Sequence, residues 1–92
     1  MIPWCVKVEW CERFILAAFG KHHAFAGRPD AGIEVGLFWR MAERAGLWEP
    51  GVFGGPMSQA LERLTTVRSV RGADGRYAYS VFRLREEAAQ DG

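Results

Sequence analysis

The sequence lacks a long uninterrupted apolar run, and this absence excludes two classes of protein. Near the N-terminus, Lys7, Glu9, Glu12 and Arg13 break the apolar run well before it reaches the roughly 20 residues needed to cross a bilayer. The same charges interrupt the apolar region that a secretory signal peptide requires. We therefore expect a cytoplasmic protein that makes no contact with a membrane.

Cysteine and histidine are also scarce, with two residues of each. Cys5 and Cys11 are separated by five residues, a spacing that matches neither the CxxC redox motif nor the common zinc motifs. Adjacent side chains such as His22 and His23 point in different directions on a helix and rarely bind one ion. A zinc site built from all four residues is the alternative, but buried thiols and an exposed helix end explain them better. We predict no metal and no cofactor.

Residue patterns that support catalysis are missing as well. The chain has no nucleophile elbow, and the glycine-rich segment 51–55 lacks the lysine that a phosphate-cradling loop of the Walker type needs. No carboxylate is spaced to serve the two histidines as a partner in acid–base chemistry. We therefore predict that the protein is not an enzyme.

The length and composition are those of one globular domain. A chain of 92 residues can form one modest core but not two. Hydrophobic residues make up 49% of the chain and charged residues 25%, which argues against general disorder. We predict a single domain over residues 1–92, with a flexible tail at 86–92.

Apolar residues recur at helical spacing in three segments. The first predicted helix runs from about Val8 to Gly20, and the second from an N-cap at Asp30 to Gly46, which suits a left-handed position after a helix. The third begins with Pro56, where proline costs no hydrogen bond, and continues through residue 64. The residues expected to face the core are Val8, Cys11, Phe14, Ile15, Ala18 and Phe19, then Ile33, Leu37, Phe38, Met41, Ala42 and Ala45, then Met57, Ala60, Leu61 and Leu64.

Two strands and a tight turn follow the third helix. Residues 67–71 and 76–84 are rich in branched and aromatic residues. Asp74-Gly75 between them is typical of a two-residue hairpin turn in which both residues adopt positive φ angles. The pattern predicts one two-stranded ribbon.

Positive charge is concentrated in this C-terminal part of an almost neutral chain. The whole chain has a formal net charge of +1, whereas residues 62–85 contain six arginines and two acids and carry +4. An arginine can pair two donors with a phosphate or with a guanine edge. Arginines also protect an exposed ribbon from aggregation, and the sequence leaves both explanations open. The six are Arg63, Arg68, Arg71, Arg76, Arg83 and Arg85.

Three helices followed by a hairpin is the order of a winged helix-turn-helix domain. Residues 41–47 (MAERAGL) resemble the positioning helix and turn of bacterial regulators, and residues 57–64 (MSQALERL) resemble the recognition helix of the MarR and PadR types. Asp74-Gly75-Arg76, with the alternating strand after it, resembles their wing. The resemblance implies an α+β fold, namely a small winged-helix domain of three helices and a two-stranded wing. It also implies the function of a DNA-binding transcriptional regulator.

For this chain, the resemblance implies a recognition helix at 56–65 and a basic wing at 67–85. Ser58, Gln59 and Arg63 would lie near base edges in a major groove of double-stranded DNA. Arg68, Arg71 and Arg76 would contact phosphates or enter the adjacent minor groove. For the helix residues, the alternative is a polar face that only meets water.

A DNA-reading domain of this size buries little surface, so we also expect a homodimer. Trp4 and Trp48 lie beside breaks and are the expected interface residues, while Trp39 lies inside a helix and is expected in the core. The alternative function is a protein-binding module, such as a small phage- or plasmid-type inhibitor or adaptor on a winged-helix scaffold. The many aromatic residues and the low overall charge favour this alternative, whereas the arginine clustering favours DNA.

Overall fold

The structure is a computed structural model that describes residues 2–49 and 55–87. These residues form a small α+β domain with three helices and a three-stranded antiparallel sheet. The elements are α1 (Trp4–Ala26), β1 (Ile33–Glu34), α2 (Val35–Arg44), α3 (Pro56–Leu64), β2 (Thr65–Arg71) and β3 (Tyr77–Leu84). The strand order in the sheet is β1-β3-β2, so the strand that ends the described fold lies in the middle.

Helix α1 is longer than predicted, with 23 residues. Gly20 does not end it, and the helix continues past this residue and the buried Phe19 next to it. The helix ends where Gly27 adopts a left-handed conformation (φ 70°) and the Arg28 amide donates to the His23 carbonyl at 3.1 Å. The predicted buried stripe is confirmed, with Phe14 half-buried at its edge.

Helix α2 begins later than predicted, and Asp30 as its N-cap was wrong. The cap is Glu34, whose carboxylate accepts hydrogen bonds from the amides of Gly36 (3.1 Å) and Leu37 (2.8 Å). Residues 33–34 pair with β3 as a strand, so the helix starts at residue 35. At the other end, Gly46 has the predicted left-handed conformation (φ 75°).

Helix α3 spans the predicted residues, with Pro56 in its first turn. The chain passes from Leu64 directly into β2 without a loop. The Thr65 hydroxyl donates to the Leu61 carbonyl at 2.6 Å, and the Arg85 amide donates to the Leu64 carbonyl at 2.9 Å. These bonds satisfy carbonyls at the end of the helix and fix its direction relative to the sheet.

The hairpin of β2 and β3 is confirmed, but a two-stranded sheet was wrong because β1 adds a third strand. Ile33 pairs with Phe82, and Glu34 pairs with Val81. Two residues are too few to show the alternation that marks a strand in a sequence. The pairing of β2 with β3 runs from Thr65 opposite Leu84 to a register shift between residues 70 and 71.

The hairpin turn also differs from the prediction. Among the described residues, positive φ is confined to glycines, so Asp74 does not adopt it, while Gly75 does (φ 80°). The Gly72 amide donates to the Arg76 carbonyl at 2.8 Å, and the Gly75 amide donates to the Gly72 carbonyl at 3.0 Å. This is a three-residue loop that ends in a left-handed glycine, and such a loop needs one positive φ instead of two.

The core lies between α1, α2, α3 and the inner face of the sheet. Phe38 is fully buried at its centre and makes edge-to-face contacts with Phe14 and Phe82. Trp39 packs against this core, as expected. Trp48, which was expected at an interface, packs there too, with its ring centroid 4.8 Å from that of Trp39. No helix in the described ranges is long and apolar enough to cross a membrane.

Candidate nucleic-acid interface

The two long polar side chains predicted to read bases from α3 are both engaged with α1. The Trp4 indole donates a hydrogen bond from Nε1 to Gln59 Oε1 at 2.5 Å. Arg63 Nη1 lies 2.8 Å from Glu12 Oε1. Because Gln59 and Arg63 are four residues apart, both lie on the side of α3 that borders α1. The structure therefore ties these side chains to the neighbouring helix.

The contact between Glu12 and Arg63 is an ion pair without hydrogen-bond alignment. Glu12 Oε1 is buried and has no aligned donor among the described residues, although the arginine nitrogen is close. The Arg63 side chain is 63% exposed, so water screens much of the attraction. Burial and, as a smaller effect, the Glu12 carboxylate raise the pKa of the adjacent Cys11 thiol, which therefore stays protonated at neutral pH.

Ser58 lies apart from those two residues and lines a groove between α3 and the sheet. The groove has a volume of about 660 Å³. Its lining combines apolar side chains with polar ones and includes Trp39, Ser58, Leu61, Glu62, Thr65, Thr66, Val67, Phe82 and Arg85. Arg85 donates from Nη2 to the Glu62 carbonyl at 3.2 Å and so ties the end of β3 to α3. Glu62 places a negative charge among the groups predicted to approach DNA.

The predicted wing residues divide into two groups. Arg68 and Arg71 line a depression of about 480 Å³ on the sheet. Arg76 lies instead in the hairpin turn, where its Nε is 3.9 Å from Asp74 Oδ2 and both side chains are largely exposed. The structure therefore brings together two of the six predicted site residues, Arg68 and Arg71, and places the other four elsewhere.

The depression belongs to the outer face of the sheet, opposite the core. Phe82 points into the core, and Val67 pairs with it, so both lie on the inner face. Side chains alternate along a strand, which places Arg68 and its partner Val81 on the outer face. Arg83 and Tyr79 share that face on β3 and also line the depression.

Two further charged residues reach the same depression from the loop between α1 and β1. Arg28 and Asp30 both line it, and Asp30 Oδ2 lies 3.8 Å from Arg83 Nη2. The complete lining is Arg28, Asp30, Gly32, Arg68, Ser69, Val70, Arg71, Tyr79, Val81 and Arg83. Four arginines therefore surround one acid, which gives the depression a net charge of +3.

The loop that carries Arg28 and Asp30 is held closely against the sheet. A Cβ atom at Gly32 would lie 3.0 Å from Val81 Cβ and 3.1 Å from the Phe82 carbonyl oxygen, so a side chain at this position would force the loop or the strand to shift. The His23 ring nitrogen Nε2 is 3.0 Å from the Ala31 carbonyl oxygen, and Ala31 is buried. The backbone of the loop is therefore anchored at Ala31 and Gly32, next to Asp30.

Sequence reasoning missed Arg28 and Arg83 as site residues. Arg83 carried a usable signal, since it lies at even spacing from Val81 and Tyr79 on a predicted strand. Arg28 carried none, because its place depends on the pairing of β1 with β3.

The zinc alternative finds no support in the described part of the chain, where no three His, Cys, Asp or Glu side chains cluster to bind a metal ion. Cys5 is exposed and Cys11 is buried. Comparison with known proteins found no match to a family model, to a curated protein or to a solved structure.

Proposed function

We propose that this protein is a DNA-binding transcriptional regulator of the winged-helix class. Support comes from the order of the elements, in which three helices precede a hairpin and α3 leads directly into the first hairpin strand. Further support comes from the arginines that the hairpin carries. Fold alone does not establish function, so the argument depends on the charged surface.

The observation that carries the proposal is that Arg68 and Arg71, both exposed, line the same depression on the sheet. Neither side chain forms an ion pair within the described residues, so both guanidinium groups are available to an anion. Arginine is suited to phosphate because two of its donors can contact two phosphate oxygens. Contacts of this kind supply most of the affinity of a protein for DNA of any sequence.

Base reading by α3 requires a rearrangement of side chains. Gln59 and Arg63 must exchange their contacts with Trp4 and Glu12 for contacts with DNA. The loss of Arg63 from the ion pair would leave the buried Glu12 Oε1 without a nearby cation, so this exchange costs more than the loss of a fully exposed pair. Ser58 needs no such exchange, but its side chain is short. We therefore propose that phosphate contacts by the hairpin dominate affinity and that α3 adds sequence preference.

The test is binding to a random-sequence duplex, measured by fluorescence anisotropy across a series of salt concentrations. Affinity should fall steeply between about 50 and 200 mM salt, and Arg68→Ala and Arg71→Ala should each reduce the slope of log K against log salt by about one. Arg40→Ala is the matched control, because it removes the same charge from the exposed side of α2, while α2 packs on the inner face of the sheet. Absence of binding at the lowest salt, or equal losses in all three variants, would overturn the proposal.

We also propose that the regulator is a homodimer formed through α1. Large apolar side chains on or next to this helix remain exposed, namely Ile2, Trp4, Trp10, Leu16 and Phe25, and Phe25 is 91% exposed. Covering any of these groups with a partner removes apolar area from water, and Trp10 on α1 is 43% exposed. Sedimentation velocity should give twice the chain mass, and Trp10→Ala should shift the protein toward the monomer. A strict monomer at concentrations that saturate a duplex would contradict the dimer.

The same side chains support a second candidate function, that of a protein-binding module. A protein of that kind would bind its partner without a steep dependence on salt, because apolar contacts are not screened. The duplex assay separates the two functions, because a protein-binding module would bind no random-sequence duplex at the lowest salt.

A further inference from the structure

The outer face of the sheet collects more positive charge than the hairpin alone supplies. Arg68 and Arg71 come from β2, Arg83 comes from β3, and Arg28 comes from the loop after α1. Arg68 pairs with Val81, whereas Arg83 lies two residues further along β3, so the two arginines are diagonal neighbours. Diagonal neighbours on one face lie about 7–8 Å apart, within reach of each other's long side chains. Three separate segments therefore contribute to one cationic surface.

This arrangement leaves an electrostatic imbalance in the free protein. Like charges at this separation repel, and Asp30 offsets only one of the four arginines. The Arg83 side chain is 32% exposed, so its charge is less well hydrated than those of arginines at the surface. An anion with several oxygens placed in the depression would relieve this repulsion and would satisfy donors from more than one arginine at once.

We propose that Arg28 and Arg83, together with Arg68 and Arg71, bind the phosphodiester backbone of duplex DNA on the outer face of the sheet. This inference rests on the proposed function and adds to it phosphate contacts by Arg28 and Arg83 and the side of the protein from which DNA approaches. The DNA backbone crosses the face of the sheet beside the loop 27–32, and is not limited to the tip of the hairpin. Asp30, whose Oδ2 lies 3.8 Å from Arg83 Nη2, moderates the positive potential of the surface.

The test compares single alanine variants of Arg28 and Arg83 with the wild-type chain in the anisotropy assay on a random-sequence duplex. Each variant should reduce the slope of log K against log salt by about one, because each phosphate contact adds about 0.9 to the magnitude of that slope. The loss of one contact should therefore weaken binding roughly eightfold at 0.1 M salt. Arg40→Ala serves again as the charge-matched control and should leave the slope unchanged. Arg83→Lys retains the charge and should restore most of the slope.

Asp30→Asn provides an opposite and independent readout. Asp30 is the acid among the side chains that line the depression, so its neutralisation should tighten duplex binding. Circular dichroism and a urea titration on every variant establish that each is folded before its binding is interpreted.

Two results would overturn the inference, and they can be told apart. If Arg68→Ala weakens binding while Arg28→Ala and Arg83→Ala match the wild type, the outer-face contacts are wrong and the proposed function stands. If the wild-type chain binds no duplex at low salt, the proposed function and this inference fall together.

Discussion

Replacement of Gly32 by alanine tests how the loop that carries Arg28 and Asp30 is seated on the sheet. The added Cβ would lie 3.0 Å from Val81 Cβ, 3.0 Å from Val81 Cγ2 and 3.1 Å from the Phe82 carbonyl oxygen. Carbon atoms pack best at about 3.5–4.0 Å, so the loop or the strand must move by a few tenths of an ångström. The strand is paired on both sides at Val81, by Glu34 and by Arg68, and so resists the movement.

The loop is the part that must move, and its movement disturbs two native features. Ala31 is buried, and its carbonyl oxygen lies 3.0 Å from His23 Nε2. Overpacking of this kind costs about 1–3 kcal/mol, so we expect a loss of about 2 kcal/mol in the free energy of unfolding. In a domain of this size, that loss lowers the Tm by roughly 10 °C.

Chemical denaturation in urea and thermal melting followed by circular dichroism measure this effect. Gly20→Ala is the matched control, because no atom lies within 4 Å of the Cβ that it adds and because alanine suits a helix better than glycine. It should stabilise the protein by about 0.5–1 kcal/mol. A Gly32→Ala protein within about 0.5 kcal/mol of the wild type, the usual range for a surface substitution, would refute the close approach of loop and strand.

The cap of α2 and the two thiols give further predictions. Glu34→Ala should lower the free energy of unfolding by about 1 kcal/mol in a urea titration, because two helix amides lose their acceptor. Asp30→Ala should lower it by less than half as much. The reverse order would show that Asp30 is the cap. Cys5, which is exposed, should react with a thiol reagent well before the buried Cys11, whose thiol pKa is raised, and equal rates in the native protein would contradict that burial. The pKa of the Cys11 thiol is higher in the folded protein than in the unfolded chain. The thiol therefore contributes its full stability below the unfolded pKa, and this contribution is lost as the pH rises through the folded pKa. The urea midpoint of the wild type should fall over that alkaline range, and the midpoint of Cys11→Ala should fall less.

The elements predicted well are those whose signals are local. The stripe Met57, Ala60, Leu61 needs no distant partner to be recognised as a helix face, and Pro56 marks its start. The two hairpin strands are likewise recognisable from their own sequence, because they are seven and eight residues long and rich in branched and aromatic residues. The turn between them was placed correctly but given the wrong conformation, because the same Asp-Gly pair serves in both two-residue and three-residue loops.

The elements predicted poorly depend on residues far apart in the chain. Ile33 was assigned to a helix because its spacing to Leu37 fits one, yet pairing with Phe82 makes it a strand residue and leaves Leu37 largely exposed. Because residues 33–34 belong to the sheet, α2 begins at residue 35, and its N-cap is Glu34 instead of Asp30. The candidate site shows the same limit, since Arg28 reaches the outer face only through β1 and the close approach at Gly32.

The structure places the candidate DNA contacts, which form one continuous stretch of sequence, in two different surroundings. On α3, Gln59 and Arg63 are tied to α1, and Glu62 adds a negative charge that phosphates avoid. On the sheet, the arginines form a cationic face with little to offset it. Under the proposed function, phosphate contacts by the sheet give an affinity for any duplex that falls as salt rises, whereas α3 adds a preference among sequences through contacts with bases. Changes on the sheet should therefore alter affinity equally for all sequences, and changes on the helix should alter which sequence is preferred.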